Sequence, residues 1–205
     1  MATRREVVWM VGAALCLGAG AIATCQGVRG CKRGVGPAYG DETASWSKAI
    51  DNLAGNGMWL VVRGYHLGDD VIAIATNSPL SHAVVLDRDR QEVIEAVGKG
   101  VIVTPLASLL RDSHRLQIIQ PEGWTPERGA AAVARARSAV GEGYDFLGLV
   151  GAPSTHRFYC SELALWSMGF TVDRAGPHRV FQPRHLDRYG RLLFDSHERD
   201  SIADY

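Results

Sequence analysis

The sequence predicts an α+β domain, an antiparallel sheet packed against helices, preceded by an N-terminal hydrophobic targeting segment. Short β-branched runs cluster between Met58 and Thr104, each parted from the next by turn residues. Helix signals stand outside that cluster, at Thr43 before it and at Thr125 and Cys160 after it. Strands and helices therefore do not alternate as they do in parallel βαβ folds, and no internal repeat or low-complexity tract is present. A chain of 205 residues with 46% hydrophobic and 21% charged residues excludes disorder and a wholly membrane-embedded protein. Lys plus Arg equals Asp plus Glu at 22 each, so no global field draws the chain to nucleic acid or anionic lipid, and specificity must be local.

Residues 1–26 read as a signal peptide, a lipoprotein signal or a membrane anchor. Arg4 and Arg5 precede an uncharged stretch from Val7 to Val28, which Gly12, Gly18 and Gly20 dilute. Three fates stay open for it. Ala21-Ile22-Ala23 has the small-x-small form of a cleavage site, Ile22 to Cys25 has the form of a lipobox in which Cys25 would be lipidated, and the segment is also long enough for an uncleaved anchor. Orientation stays open too, because Arg29, Lys32 and Arg33 on the far side outnumber Arg4 and Arg5. The expected location is the cell envelope, by export or membrane attachment. Residues 27–42, rich in Gly with Arg, Lys and Pro37, read as a flexible linker, and the folded domain is expected over 43–205.

In the domain, Thr43 can cap a helix carrying Trp46, Ile50 and Leu53 at helical spacing, ended by Gly55-Asn56-Gly57. Strands are expected at Met58–Val62, Val71–Ala75, His82–Leu86, Glu92–Ala96 and Gly100–Thr104, as an antiparallel meander. Thr125 is a good N-cap with Pro126 at the first helical position, and an Ala-rich helix runs on to about Val140 before Gly141. A last helix starts at Cys160 and stops at Gly169.

That start matters chemically. A thiol at a helix N-terminus sits among unsatisfied N–H groups and the positive end of the dipole, which favour thiolate. A thiol nucleophile also needs a base and a group to orient the base. His82 opens one predicted strand and Glu95 lies in the next. If Asp87 to Arg90 form the hairpin loop, Leu86 faces Gln91 and the same register sets His82 opposite Glu95 on one face of the sheet. A one-residue slip would part them. No metal or other cofactor is expected, since none of the seven histidines falls in an HExxH or similar cluster.

Gly68-Asp-Asp-Val-Ile, Ser81-His82-Ala-Val-Val, Val93-Ile-Glu95-Ala, Gly100-Val, Gly143-Tyr144-Asp-Phe and Tyr159-Cys160-Ser-Glu-Leu resemble the YiiX-like branch of the NlpC superfamily, over about residues 58–195. The tail, Phe181 to Asp187 and then Leu193-Phe-Asp, is similar to the way such domains end. The resemblance implies a circularly permuted papain-like fold, in which the histidine precedes the cysteine, and a cysteine amidase or peptidase. It implies Cys160 as nucleophile, His82 as general base, Glu95 as the group orienting the imidazole, and Tyr144 lining the oxyanion side of the site. The implied substrate is a peptide, cell-wall or acyl-amide compound, with the membrane engaged only through the N-terminal segment and no nucleic acid. Two other readings stand beside it. A lipid acyltransferase or thiol lipid hydrolase of the lecithin:retinol acyltransferase type has an Asn-Cys-Glu-His-Phe run where this chain has Tyr159-Cys160-Ser-Glu-Leu. A non-catalytic membrane-tethered binding module would have no need of the intact Cys160, His82 and Glu95.

Overall fold

Most of the predicted β-branched runs pair into one six-stranded antiparallel sheet in the computed structural model, which describes residues 39–65, 69, 72–73, 77–146, 148, 157–171 and 181–196. The predicted targeting segment with Cys25, and residues 27–38 of the predicted linker, lie outside the described residues. In chain order the elements are helix α1 (Tyr39–Leu53), strands β1 (Trp59–Gly64), β2 (His82–Asp87), β3 (Glu92–Val97) and β4 (Gly100–Pro105), helix α2 (Leu106–Arg111), strand β5 (Ser113–Pro121) and helix α3 (Pro126–Ser138). Then come the two-residue strands β6 (Gly143–Tyr144) and β7 (Arg157–Phe158), helix α4 (Cys160–Ser167), a 3-10 helix (Pro183–Tyr189) and β8 (Gly190–Asp195). The large sheet runs β4-β3-β2-β1-β5-β8, and β6 pairs with β7 in parallel.

Alternation along the strands gives the sheet two apolar faces. Trp59, Val61, Ala83, Val85, Ile94 and Ala96 pack against Ala132, Val133 and Ala136 of α3 and Leu163 and Ala164 of α4. Leu60, Val62, Val84, Leu86 and Val93 pack against Trp46 and Ile50 of α1 and Leu106, Leu109 and Leu110 of α2. Each such large side chain, once buried, contributes roughly 1.5–3 kcal/mol. Helix α3 starts as predicted: the Thr125 hydroxyl accepts from the Arg128 amide at 3.2 Å and Pro126 takes the first helical position. Among the described residues no helix is long and apolar enough to cross a membrane.

Besides the short helix α2, the β6–β7 pair and the 3-10 helix, none of which was expected, four features differ from the sequence expectations. Helix α1 begins at Tyr39, four residues before Thr43, with Asp41 and Glu42 in its first turn where carboxylates suit the dipole. Of the run Val71–Ala75, expected as a strand, Ile72 and Ala73 are helical and the rest lies outside the described residues. Strands β5 and β8, not expected from the pattern, complete the sheet. The polar residues that obscure β5 are partnered across it: the Arg115 guanidinium forks onto Asp195 at 2.9 and 2.7 Å, and Gln117 donates to the same carboxylate at 2.8 Å.

The fourth difference concerns the hairpin that carries His82 and Glu95. Its loop is Arg88 to Gln91, not Asp87 to Arg90, because Asp87 pairs with Glu92 and Val85 with Ile94. Gln91 adopts φ 54° and its amide closes the turn onto the Arg88 carbonyl at 3.1 Å. Two carboxylates placed directly opposite would repel. Arg137 of α3 resolves this by donating from Nε to Asp87 at 2.8 Å and from Nη2 to both Asp87 and Glu92. Continued along the strands, this register sets Val84, not His82, opposite Glu95. His82 is then the diagonal neighbour, and a shift of two positions keeps the face unchanged.

Candidate active site

Cys160 is the first residue of α4, with Tyr159 as extended N-cap (φ −97°, ψ 166°). The strand β7 runs straight into it, so the thiol is fixed where an extended segment turns into a helix. The side chain is buried, 6% exposed, and is the free cysteine among the described residues.

His82 Nε2 and Glu95 Oε2 lie 2.7 Å apart, the short separation of a charge-assisted hydrogen bond. Nε2–H therefore donates to the carboxylate, and Nδ1 is the ring nitrogen left free of Glu95, on a ring close enough to Cys160 for the two groups to shift each other's titration. Glu95 is only 7% exposed, and its other oxygen, Oε1, accepts from the Thr104 hydroxyl of β4.

The electrostatics follow from this packing. Burial alone would lower the His82 pKa, but the hydrogen bonds and charges of Cys160 and Glu95 raise it well above its ordinary value. Burial would raise the Cys160 pKa, but His82, the Ser161 hydroxyl and the Ala83 amide together lower it. Burial opposes ionisation of Glu95 as well, and His82, Thr104 and the Lys99 charge bring its pKa down. The three shifts favour the same state, a thiolate facing an imidazolium that a carboxylate holds from behind.

The Ala83 contribution has a backbone cause. The Leu86 amide bonds Met58 on the β1 side, so by alternation the Ala83 amide points toward β3. The β2–β3 ladder ends at Val85 and Ile94, however, so this amide lies past the last paired residues, where it helps lower the Cys160 pKa.

Tyr144 lies on β6, which pairs with β7 immediately before Cys160, and its ring packs on Phe146 with centroids 4.7 Å apart. Burial first, and then the charge of the Cys160 sulfur, raise its phenol pKa well above the ordinary value, so the hydroxyl stays protonated. Tyr159 is held by accepting from the Phe181 amide at 3.2 Å, and its pKa is pushed up to about 12, chiefly by burial.

The structure thus brings Cys160, His82, Glu95 and Tyr144 to one end of the sheet, while Cys25 lies outside the described residues. Sequence reasoning missed Thr104, Ser161 and the Ala83 amide. A signal for Thr104 was present. The two-residue turn Gly98-Lys99 fixes the β3–β4 register, pairing Glu95 with Ile102 and setting Thr104 one diagonal step from Glu95. Among the described residues no group of three His, Cys, Asp or Glu side chains is placed to hold a metal ion.

Residues 66–169 match the model of a family described as permuted papain-like amidase enzymes, YaeF/YiiX, C92 family. The match spans every residue of the cluster from His82 to Cys160. No curated protein matches the chain.

Proposed function

Because the chain belongs to the permuted papain-like amidase family, we propose that it is a thiol hydrolase that cleaves an amide bond in a peptide or cell-wall peptide through a Cys160 acyl-enzyme. The observation that carries this reading is the His82–Glu95 pair, 2.7 Å apart, near a buried Cys160 at a helix start whose pKa His82 helps to lower.

In this reading the Cys160 thiolate attacks the carbonyl carbon, and the oxygen takes up the negative charge facing the Tyr144 O–H. The imidazolium of His82 gives its proton to the leaving nitrogen as the C–N bond breaks, which leaves a thioester and neutral imidazole. A water molecule then attacks the thioester and His82 takes its proton. The C–S bond then breaks to expel the Cys160 thiolate, the acid product departs, and with water's proton on His82 the ion pair is restored. Glu95 keeps the proton on Nε2, so that Nδ1 is always the nitrogen turned to the sulfur, and it stabilises the cation without taking its proton. The uncharged, glycine-diluted stretch from Val7 to Val28 supports an envelope setting for this chemistry.

The test is iodoacetamide labelling of the full chain at neutral pH, followed by weighing of the trapped acyl-enzyme. Labelling faster than a free cysteine, abolished in Cys160→Ser and slowed in His82→Ala, is the expected result. A Cys160 no faster than a free thiol would overturn the catalytic reading, and a fatty-acyl adduct mass would overturn the amide-substrate reading in favour of lipid chemistry.

A further inference from the structure

We propose, resting on the reading of Cys160 as nucleophile, that Thr104 is a positioning residue of this site: its hydroxyl fixes Glu95 in the orientation and charge state that His82 requires. Glu95 has two carboxylate oxygens and a named donor for each. Oε2 takes the His82 Nε2–H at 2.7 Å, and Oε1 takes the Thr104 hydroxyl. With Glu95 7% exposed, water is a poor substitute for either donor.

The ionisable groups that act on this end of the sheet come from four elements. They are His82 on β2, Lys99 at the β3–β4 turn, Cys160 and Glu162 of α4 with its cap residue Tyr159, and Tyr144 of β6 with Asp145 after it. Of these only His82 and Lys99 act directly on Glu95, and Lys99 does so through its charge, without a hydrogen bond. Thr104 is therefore the neutral group that orients the carboxylate, and the β3–β4 register explains why it can. It pairs with Val93, one diagonal step from Glu95, on the same face of the sheet.

Removing the hydroxyl leaves Oε1 desolvated and without a donor, which favours the protonated acid and frees the carboxyl to rotate. A weaker Glu95 anion supports the imidazolium less, so His82 loses its proton at a lower pH than in the native chain. A weaker imidazolium supports the thiolate less, so Cys160 ionises at a higher pH. The window in which the ion pair exists then narrows from both sides.

The experiment measures the second-order rate of Cys160 alkylation by iodoacetamide against pH in the native chain, Thr104→Val and Thr104→Ser. Thr104→Val keeps the shape of the side chain and lacks the hydroxyl. The expected result is a loss of about tenfold at neutral pH, the order of one hydrogen bond to a charged group, with both limbs moved inward. Thr104→Ser is expected to restore limbs and rate. A Thr104→Val profile superimposable on the native one overturns the proposal, as does a Thr104→Ser as impaired as Thr104→Val. If the valine variant does not fold, Thr104→Ala carries the same expectation, and a native profile there overturns the proposal equally. A native Cys160 that alkylates like a free thiol would instead refute the nucleophile reading, and this proposal with it. Fast native alkylation with unmoved Thr104 variants removes the proposal alone.

Discussion

Arg137→Met tests whether the register of the β2–β3 hairpin depends on a residue far from it in sequence. Arg137 donates to both Asp87 and Glu92, and these carboxylates are directly opposed across the two strands. Asp87 is 4% exposed, whereas the side chains of Arg137 and Glu92 are 24% and 34% exposed. Methionine keeps most of the apolar stem and removes the charge. Breaking a buried pair by deleting one partner costs about 3–5 kcal/mol, because it strands an uncompensated charge. Here Glu92 can turn toward water and Arg137 already meets it, so the range is discounted to roughly 2–3 kcal/mol. For a chain of this size that is a fall in melting temperature of about 4–12 °C. Thermal unfolding by circular dichroism at neutral pH, on the native chain and the variant, measures it. The double variant Arg137→Met with Asp87→Asn removes the stranded charge and is expected to regain most of the loss. A single variant that melts with the native chain, or a double variant that melts no higher than the single, would refute the reasoning.

Glu95→Gln keeps an acceptor for His82 but removes the negative charge that helps raise the His82 pKa. The imidazolium then loses its proton at lower pH, so the alkaline limb of Cys160 alkylation moves to lower pH; an unmoved limb would count against Glu95 acting through charge. Gly129→Ala sets two effects against each other. Alanine gains about 1 kcal/mol of helix propensity inside α3, but a Cβ there would meet the Asn56 carbonyl oxygen at 2.1 Å and the Trp124 indole nitrogen at 2.7 Å. Trp124 is tied to that same carbonyl at 2.9 Å, so neither neighbour can give way without breaking the bond. Overpacking of this kind costs typically 1–3 kcal/mol, and the net expected outcome is a lower melting temperature; a higher one would show that the helix slides freely.

What could be read from sequence was what depends on near neighbours in the chain. The start of α3 is specified by Thr125 and Pro126, and the start of α4 at Cys160 by the helical run up to Gly169, so both stood out. The existence of the β2–β3 hairpin was equally local. Its register was not. The predicted loop kept Asp87 out of the ladder, and what draws Asp87 in opposite Glu92 is Arg137, on a helix far downstream. Because the error was two positions and not one, His82 and Glu95 still met. Strand β5 hid behind Arg115 and Gln117, which look like surface residues until Asp195 of β8 supplies their partner. The opposite error befell Val71–Ala75, where β-branched composition suggested a strand although Ile72 and Ala73 are helical. In the site, the residue types that carry chemistry were legible. The groups that tune them, Thr104 and the Ala83 amide, are a common hydroxyl and a backbone atom that no motif marks.

The order of the site residues along the chain sets the order in which the site can assemble during synthesis. His82 and Glu95 belong to one hairpin and are separated by 13 positions, so they can meet as soon as that hairpin leaves the ribosome. Cys160 emerges much later and opens a helix that must dock across strands already formed. Until it docks, the thiol has neither the imidazole nor the Ala83 amide beside it and behaves as an ordinary cysteine. On the reading of Cys160 as nucleophile, activation of the thiol thus waits for α4 to dock, and a chain that has not reached that point carries an ordinary cysteine.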